Sequence, residues 1–142
     1  MSHPRADIRA AIMAALAPLV PSPLAALQAS RVYPFGADQF PAAAVFSPRE
    51  PTQRLDVGGD IERQATFVIL VTFSATEALE DEADDLALSI EQAMGADPRL
   101  DRTALDSWLS LTEIGLSGEG ERQVAMLRLS YTVRYVTGAS PG

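Results

Sequence analysis

The sequence predicts an α+β domain: a mostly antiparallel sheet of about four strands with two main helices packed on it. Three observations carry this. Two segments repeat apolar residues at helical spacing. Several others alternate apolar and polar residues as strands do. The order runs helix, strands, helix, hairpin, which places helices on a largely antiparallel sheet.

The first helix is predicted over residues 4–17. Pro4 suits the first turn, Ser2 or His3 can cap it, and Ile8, Ile12, Leu16 and Leu19 recur at helical spacing. Pro18 limits it, and Pro18, Pro21 and Pro23 make a stiff connector, with one short helical turn expected over Leu24 to Ala29. Residues 31–33 are a weak strand candidate. Residues 42–46, Ala-Ala-Ala-Val-Phe, are a better one, because Pro41 can sit at a strand start. Residues 47–60 mix proline, glycine and charge and are expected to form one long loop. Residues 62–74 give the clearest strand. Ala65, Phe67, Ile69, Val71 and Phe73 share one face, with Thr66, Val68, Leu70 and Thr72 on the other. Both faces are largely apolar, so this strand is expected to be central and covered on both sides.

A second helix is predicted from a Thr76 cap to Met94, ending at Gly95, with Leu79, Ala83, Leu86, Ile90 and Met94 as its buried stripe. Residues 96–106 read as a loop. Residues 107–116 and 121–137 read as a hairpin through Ser117-Gly118-Glu119-Gly120. In its second strand Ala125, Leu127, Leu129, Tyr131, Val133 and Tyr135 share one face, and Arg122, Arg128 and Arg134 share the other. Residues 138–142 are small and polar and are expected to fray. No internal repeat is present, and residues 1–142 form a single domain.

Composition narrows the function. A chain of 142 residues fits one domain and buries roughly 68–70% of the surface its unfolded form exposes. There is no cysteine, which excludes disulfides and thiolate metal sites. The net charge is −8, from 19 acids against 11 bases, and every base is arginine. That balance argues against gripping nucleic acid by its phosphates and favours solubility. No apolar run approaches the ~20 residues needed to span a bilayer. Met1 to Asp7 lack the layout of a secretory signal, so a soluble, cytoplasmic product without a membrane partner is expected.

Chemistry has few places to reside. The only histidine, His3, lies near a terminus expected to be mobile, so a Ser-His or Cys-His unit has no anchor. No phosphate-binding glycine motif occurs, and Gly58-Gly59 reads as a turn. The dense constellation is acidic: Glu77, Glu80, Asp81, Glu82, Asp84 and Asp85. It fits acids favouring a helix N-terminus, a functional negative surface, or a hard cation such as Mg²⁺ held by Glu77, Asp81 and Asp84. The arginine row reads either as a solvated face with cross-strand acids such as Glu113, or as a subunit contact. Trp108 is expected in the core or at an interface.

Several motifs in order resemble the lambda-type phage tail terminator (minor tail protein U) family. They are Ile8-Arg9-Ala10-Ala11, then Val32-Tyr33 followed by Phe40 to Phe46, a charged loop and the Glu62–Phe73 strand. The acidic helix, Ile114-Gly115 and the closing Leu129-Ser130-Tyr131-Thr132-Val133-Arg134-Tyr135 complete the series. Residues 18–30 depart from the family as an insertion, and 96–120 match loosely. The resemblance implies a virion structural protein rather than an enzyme, with no cofactor and no metal site. It implies a ring, usually of six subunits, at the neck end of a tail assembled in the host cytoplasm. Such a ring caps the tail tube, stops its polymerisation and offers a surface to the head connector, while DNA passes through without specific binding. The alternatives are a head–tail joining or completion protein and, from another class, a small metal-dependent enzyme using the 77–85 carboxylates.

Three sets of residues are expected to carry the ring function. Arg122, Arg128 and Arg134 are candidates for the subunit interface. Arg49, Glu50, Arg54, Asp56 and Asp60 are candidates for docking on the tube, because mixed charge suits another charged surface. Glu77, Asp81 and Asp84 are candidates for lining the channel, where like charge keeps phosphates off the wall.

Overall fold

The computed structural model describes residues 3–29, 39–49, 52–54, 60–117 and 124–138. It is an α+β domain, two helices on a six-stranded mixed sheet. Helix α1 is Pro4–Leu16, followed by a single 3-10 turn, Ala17–Leu19. The strands are β1 (Ala26–Gln28), β2 (Ala42–Arg49), β3 (Thr52–Arg54), β4 (Asp60–Ser74), β5 (Asp106–Ser117) and β6 (Val124–Gly138). Helix α2, Leu79–Gly95, lies between β4 and β5 in the chain. The sheet order is β1-β2-β4-β6-β5, with β3 also paired to β4. All pairs are antiparallel except β1 with β2.

Helix α1 starts where a side chain satisfies an orphan N–H. His3 is the cap, its Nδ1 accepting from the Arg5 amide at 3.0 Å. Pro4 occupies a first-turn position, where its missing N–H costs nothing. Ile8, Ile12 and Leu16 are fully buried, as the helical stripe predicts. In α2 the stripe Ala83, Leu86, Ile90 and Met94 is buried, and Leu79 packs against the core. Thr76 does not cap this helix. The cap position is Ala78, without a side-chain bond, and Thr76 Oγ1 instead accepts from the Ala78 amide at 3.2 Å in a preceding turn.

The core lies between the helices and one face of the sheet. Ala65, Phe67, Ile69, Val71 and Phe73 of β4 meet Ala125, Leu127, Leu129, Tyr131, Val133 and Tyr135 of β6 there, with Ala43 and Val45 of β2. Strands β4 and β6 stay in one register from Asp60 opposite Gly138 to Ser74 opposite Val124. A single register holds because a one-residue slip would turn every core residue outward. α1 packs over β1 and β2, α2 over β6 and β5, and the helices touch each other.

Four expectations need correction. The sheet has six strands rather than about four, because two three-residue strands escape any periodicity test. Residues 26–28 are strand β1 rather than a helical turn, held by parallel pairing with β2. Residues 47–60 are not one long loop. β2 continues to Arg49 across a register shift after Phe46, β3 pairs Thr52 to Arg54 with Arg63 to Ile61, and β4 begins at Asp60. Strand β4 is central, but among the described residues helices cover only one of its faces. The weak strand candidate at 31–33, the Ser117–Gly120 turn beyond Ser117 and the frayed end from residue 139 lie outside the described residues.

Candidate assembly surfaces

The outward sheet face is built from the residues alternate to the core. Register places Ala42, Ala44 and Phe46 of β2, Val68 and Leu70 of β4, Met126 and Ser130 of β6, and Trp108 and Leu111 of β5 on it. Ala42, Ala44, Val68 and Ser130 on this face are buried, while Trp108 and Leu111 stay exposed. Among the described residues no helix packs on this face, and Trp108 and Leu111 are apolar side chains that it leaves in water, where protein contact would stabilise them.

The same holds for one edge. Among the described residues, β5 ends the sheet order, pairing with β6 on one side only. Its register shifts between Leu109 and Leu111, so the residues beyond Ser110 change phase. From Leu111 to Leu116 every residue is exposed, including Leu111 at 51%, Ile114 at 37% and Leu116 at 57%. A long apolar edge strand offers backbone and side chains to another chain. Sequence reading missed this edge, because apolar residues at 109, 111, 114 and 116 look like an ordinary two-faced strand until the bulge is known.

The described members of the arginine row are paired within the sheet. Arg128 lies directly opposite Glu113, Nε to Oε1 3.8 Å, and Arg134 donates to Glu62. Both side chains remain nearly half exposed. Arg122 lies outside the described residues. So do Glu50 and Asp56 of the proposed docking set, whereas Arg49, Arg54 and Asp60 are backbone members of β2, β3 and β4. The described docking candidates, Arg49, Arg54 and Asp60, therefore lie in paired strands rather than in a free loop.

Glu77, Asp81 and Asp84 are all exposed, Asp81 and Asp84 on the solvent side of α2 and Glu77 in the turn before it. Glu80, Asp81 and Glu82 fill the first turn of α2, where the positive end of the helix dipole favours them. Among the described residues no group of three or more His, Cys, Asp or Glu side chains is gathered as a metal would need. His3 serves as a helix cap. Among the described residues no helix is long and apolar enough to cross a membrane.

Among the described residues, hollows open on the helix side. One, about 410 Å³, lies between the helices against Ala11, Ala14 and Ala15 of α1 and Ala93 of α2. A second, about 250 Å³, sits at the start of α1 against His3, Arg5, Ala6, Arg9 and Ser47. A third, about 170 Å³, opens on the β5 flank among Glu91, Met94, Gly95, Pro98, Ser107 and Tyr131. Burial, and then the Glu91 charge, push the Tyr131 hydroxyl up to about 12. At the hollow between the helices, lined also by Leu100 and Asp101, the chain makes a left-handed turn, with φ of 49° at Leu100, 56° at Asp101 and 67° at Arg102. Asp97 Oδ2 holds it by accepting from the Asp101 amide at 2.6 Å, and Leu100 is buried beneath it.

No protein-family profile and no curated protein matches this sequence. Among solved structures the chain is similar to a component described as "Virion of native gene transfer agent (GTA) particle". The TM-score is 0.51 at 15% identity, covering 96% of this chain and 100% of that one. At that identity the likeness shows a shared fold.

Proposed function

We propose that this chain is a structural subunit of a phage-like virion, and within it the terminator ring at the neck end of the tail. The observation that carries this is the β5 edge with its exposed Leu111, Ile114 and Leu116. A domain of this size does not leave such a surface in water without a partner. The end-to-end fold likeness to a chain of a gene transfer agent virion supports a particle as the setting. The motif order shared with the lambda-type tail terminators supports the tail end.

In this reading, copies of the chain close a ring; the ring seats on the last layer of tail tube, and the head connector seats on the ring. The extension formed by β2, β3 and the start of β4, with Arg49, Glu50, Arg54, Asp56 and Asp60, is assigned to tube docking. The arginine row is assigned to the seam or to a neighbouring protein, and the acids of α2 to the channel.

The test is loss of the gene product in a producing strain, with particles imaged by electron microscopy. Tails of uncontrolled length support a terminator. Normal-length tails that fail to join heads point to a joining protein instead. Complete particles of normal length and infectivity reject the reading.

A further inference from the structure

We propose that neighbouring copies join head to tail through Arg9 of one copy and the hollow around Glu91 of the next. The inference rests on the ring reading and names its seam.

The two groups lie on opposite flanks of the helix pair. Ala11, Ala14 and Ala15 of α1 face Ala93 and Ala96 of α2 across the hollow between the helices. Arg9 lines the separate hollow beside Ser47 of β2, on the α1 flank. Glu91 lines the hollow beside Ser107 and Leu109 of β5, on the α2 flank. A head-to-tail contact that closes into a ring joins two such unlike flanks, whereas a two-fold dimer would join like to like.

Both groups are available. Among the described residues, neither Arg9 nor Glu91 has an ion-pair partner. Arg99 and Arg102 also lack one, but they lie in the turn that follows α2, whose Asp97, Leu100 and Asp101 line the hollow between the helices, and not in the hollow on the α1 flank. That leaves Arg9 as the described arginine without a partner on the opposite flank. The flanks also differ in charge. The stretch from Glu91 to Asp106 carries Glu91, Asp97, Asp101 and Asp106 against Arg99 and Arg102, and α2 adds its N-terminal acids. Among the described residues, the opposite hollow is lined by His3, Arg5 and Arg9 with no acid, Asp7 standing outside it. The receiving hollow, about 170 Å³, combines a carboxylate with the buried Tyr131, a setting that suits a planar guanidinium. The exposed Leu111, Ile114 and Leu116 lie on this flank, so the same docking covers the apolar edge.

The absence of cysteine gives a clean test. Ala6→Cys labels the Arg9 hollow and Gly95→Cys the Glu91 hollow, and a side chain at Gly95 meets open space. The chain carrying both, treated with a short thiol-reactive cross-linker in assembled particles and as concentrated protein with and without Mg²⁺, should give a ladder that stops at the ring number. Each single-cysteine chain should give no more than dimers. Arg9→Glu and Glu91→Arg should each weaken association at least tenfold, with thermal melting unchanged, and the two together should restore it. Rings that form without the ladder, or that ignore both charge reversals, overturn this seam and leave the ring reading standing. Two-fold dimers, or monomers even in particles, overturn both.

Discussion

Replacing Leu111 and Leu116 together by serine tests whether the β5 edge is an interface or simply a tolerated surface. Both leucines keep about half of their surface in water, 51% and 57%. Full burial of a leucine is worth ~1.5–3 kcal/mol, so closing the remaining half contributes roughly 0.8–1.5 kcal/mol each and ~1.5–3 kcal/mol for the pair. That corresponds to about a 10- to 150-fold loss of association per seam, at ~1.4 kcal/mol per decade. The isolated domain should lose little, because the substitutions open no cavity. Phe67→Ala is the opposite control. Phe67 is fully buried, and emptying its site costs ~3–5 kcal/mol, a fall in melting temperature of roughly 6–20 °C. Sedimentation across a concentration series reads association, and calorimetry reads stability. A double serine variant that associates normally but melts many degrees lower would refute the reasoning, since the leucines would then serve the monomer.

Tyr131 should make stability fall at high pH. Its folded pKa of about 12 lies above the ordinary 10, so between these values the unfolded chain loses the proton while the folded chain keeps it, and folding weakens by on the order of 2–3 kcal/mol. Stability is unaffected below pH 10, and Tyr131→Phe should flatten the loss in urea unfolding followed against pH. Arg102→Gly should stabilise the domain by ~0.5–1 kcal/mol, because φ of 67° strains a side chain and suits glycine. A lower urea midpoint would mean that the arginine side chain matters more than the backbone strain. Changing Glu77, Asp81 and Asp84 to arginine should slow DNA release from particles, more at low salt than at high, and unaltered release would remove these acids from the channel wall.

The legible parts of the fold are those whose periodicity is long. Ile8, Ile12 and Leu16, or Ala65 through Phe73, declare their element and buried face because several turns or pleats repeat one rule. Strand β1 was illegible for the opposite reason. Ala26-Leu27-Gln28 has helical propensity, and only its pairing with Ala42 to Ala44 makes it extended. The segment after Phe46 misled through its prolines and charges, which an edge strand tolerates. The surfaces were harder still. Glu113 was legible as a partner for the arginine row because cross-strand register follows from the hairpin. Leu111 and Leu116 were not, because a bulge at Ser110 has no signature in Trp-Leu-Ser-Leu-Thr. Arg9 and Glu91 carry no local signal at all, since their meaning comes from which flank of the helix pair each occupies.

The position of the flanks constrains the channel. If the seam runs from the α1 flank to the α2 flank, each subunit turns its helices to one radial side of the ring and its opposite sheet face to the other. The solvent side of α2 and the sheet face then cannot both line the lumen. Their chemistry decides between them. On the sheet, Glu113 and Glu62 are matched by Arg128 and Arg134, and the intervening surface is Leu70, Met126, Trp108 and Leu111. Such a near-neutral, apolar face suits protein contact. The outer side of α2 carries Asp81, Asp84 and Asp85 with no arginine in the helix. Repeated around a ring, it forms a negative belt on which phosphates find no counter-charge. On the proposed ring, the α2 side is therefore the one expected to face DNA, and the sheet side the one expected to face protein.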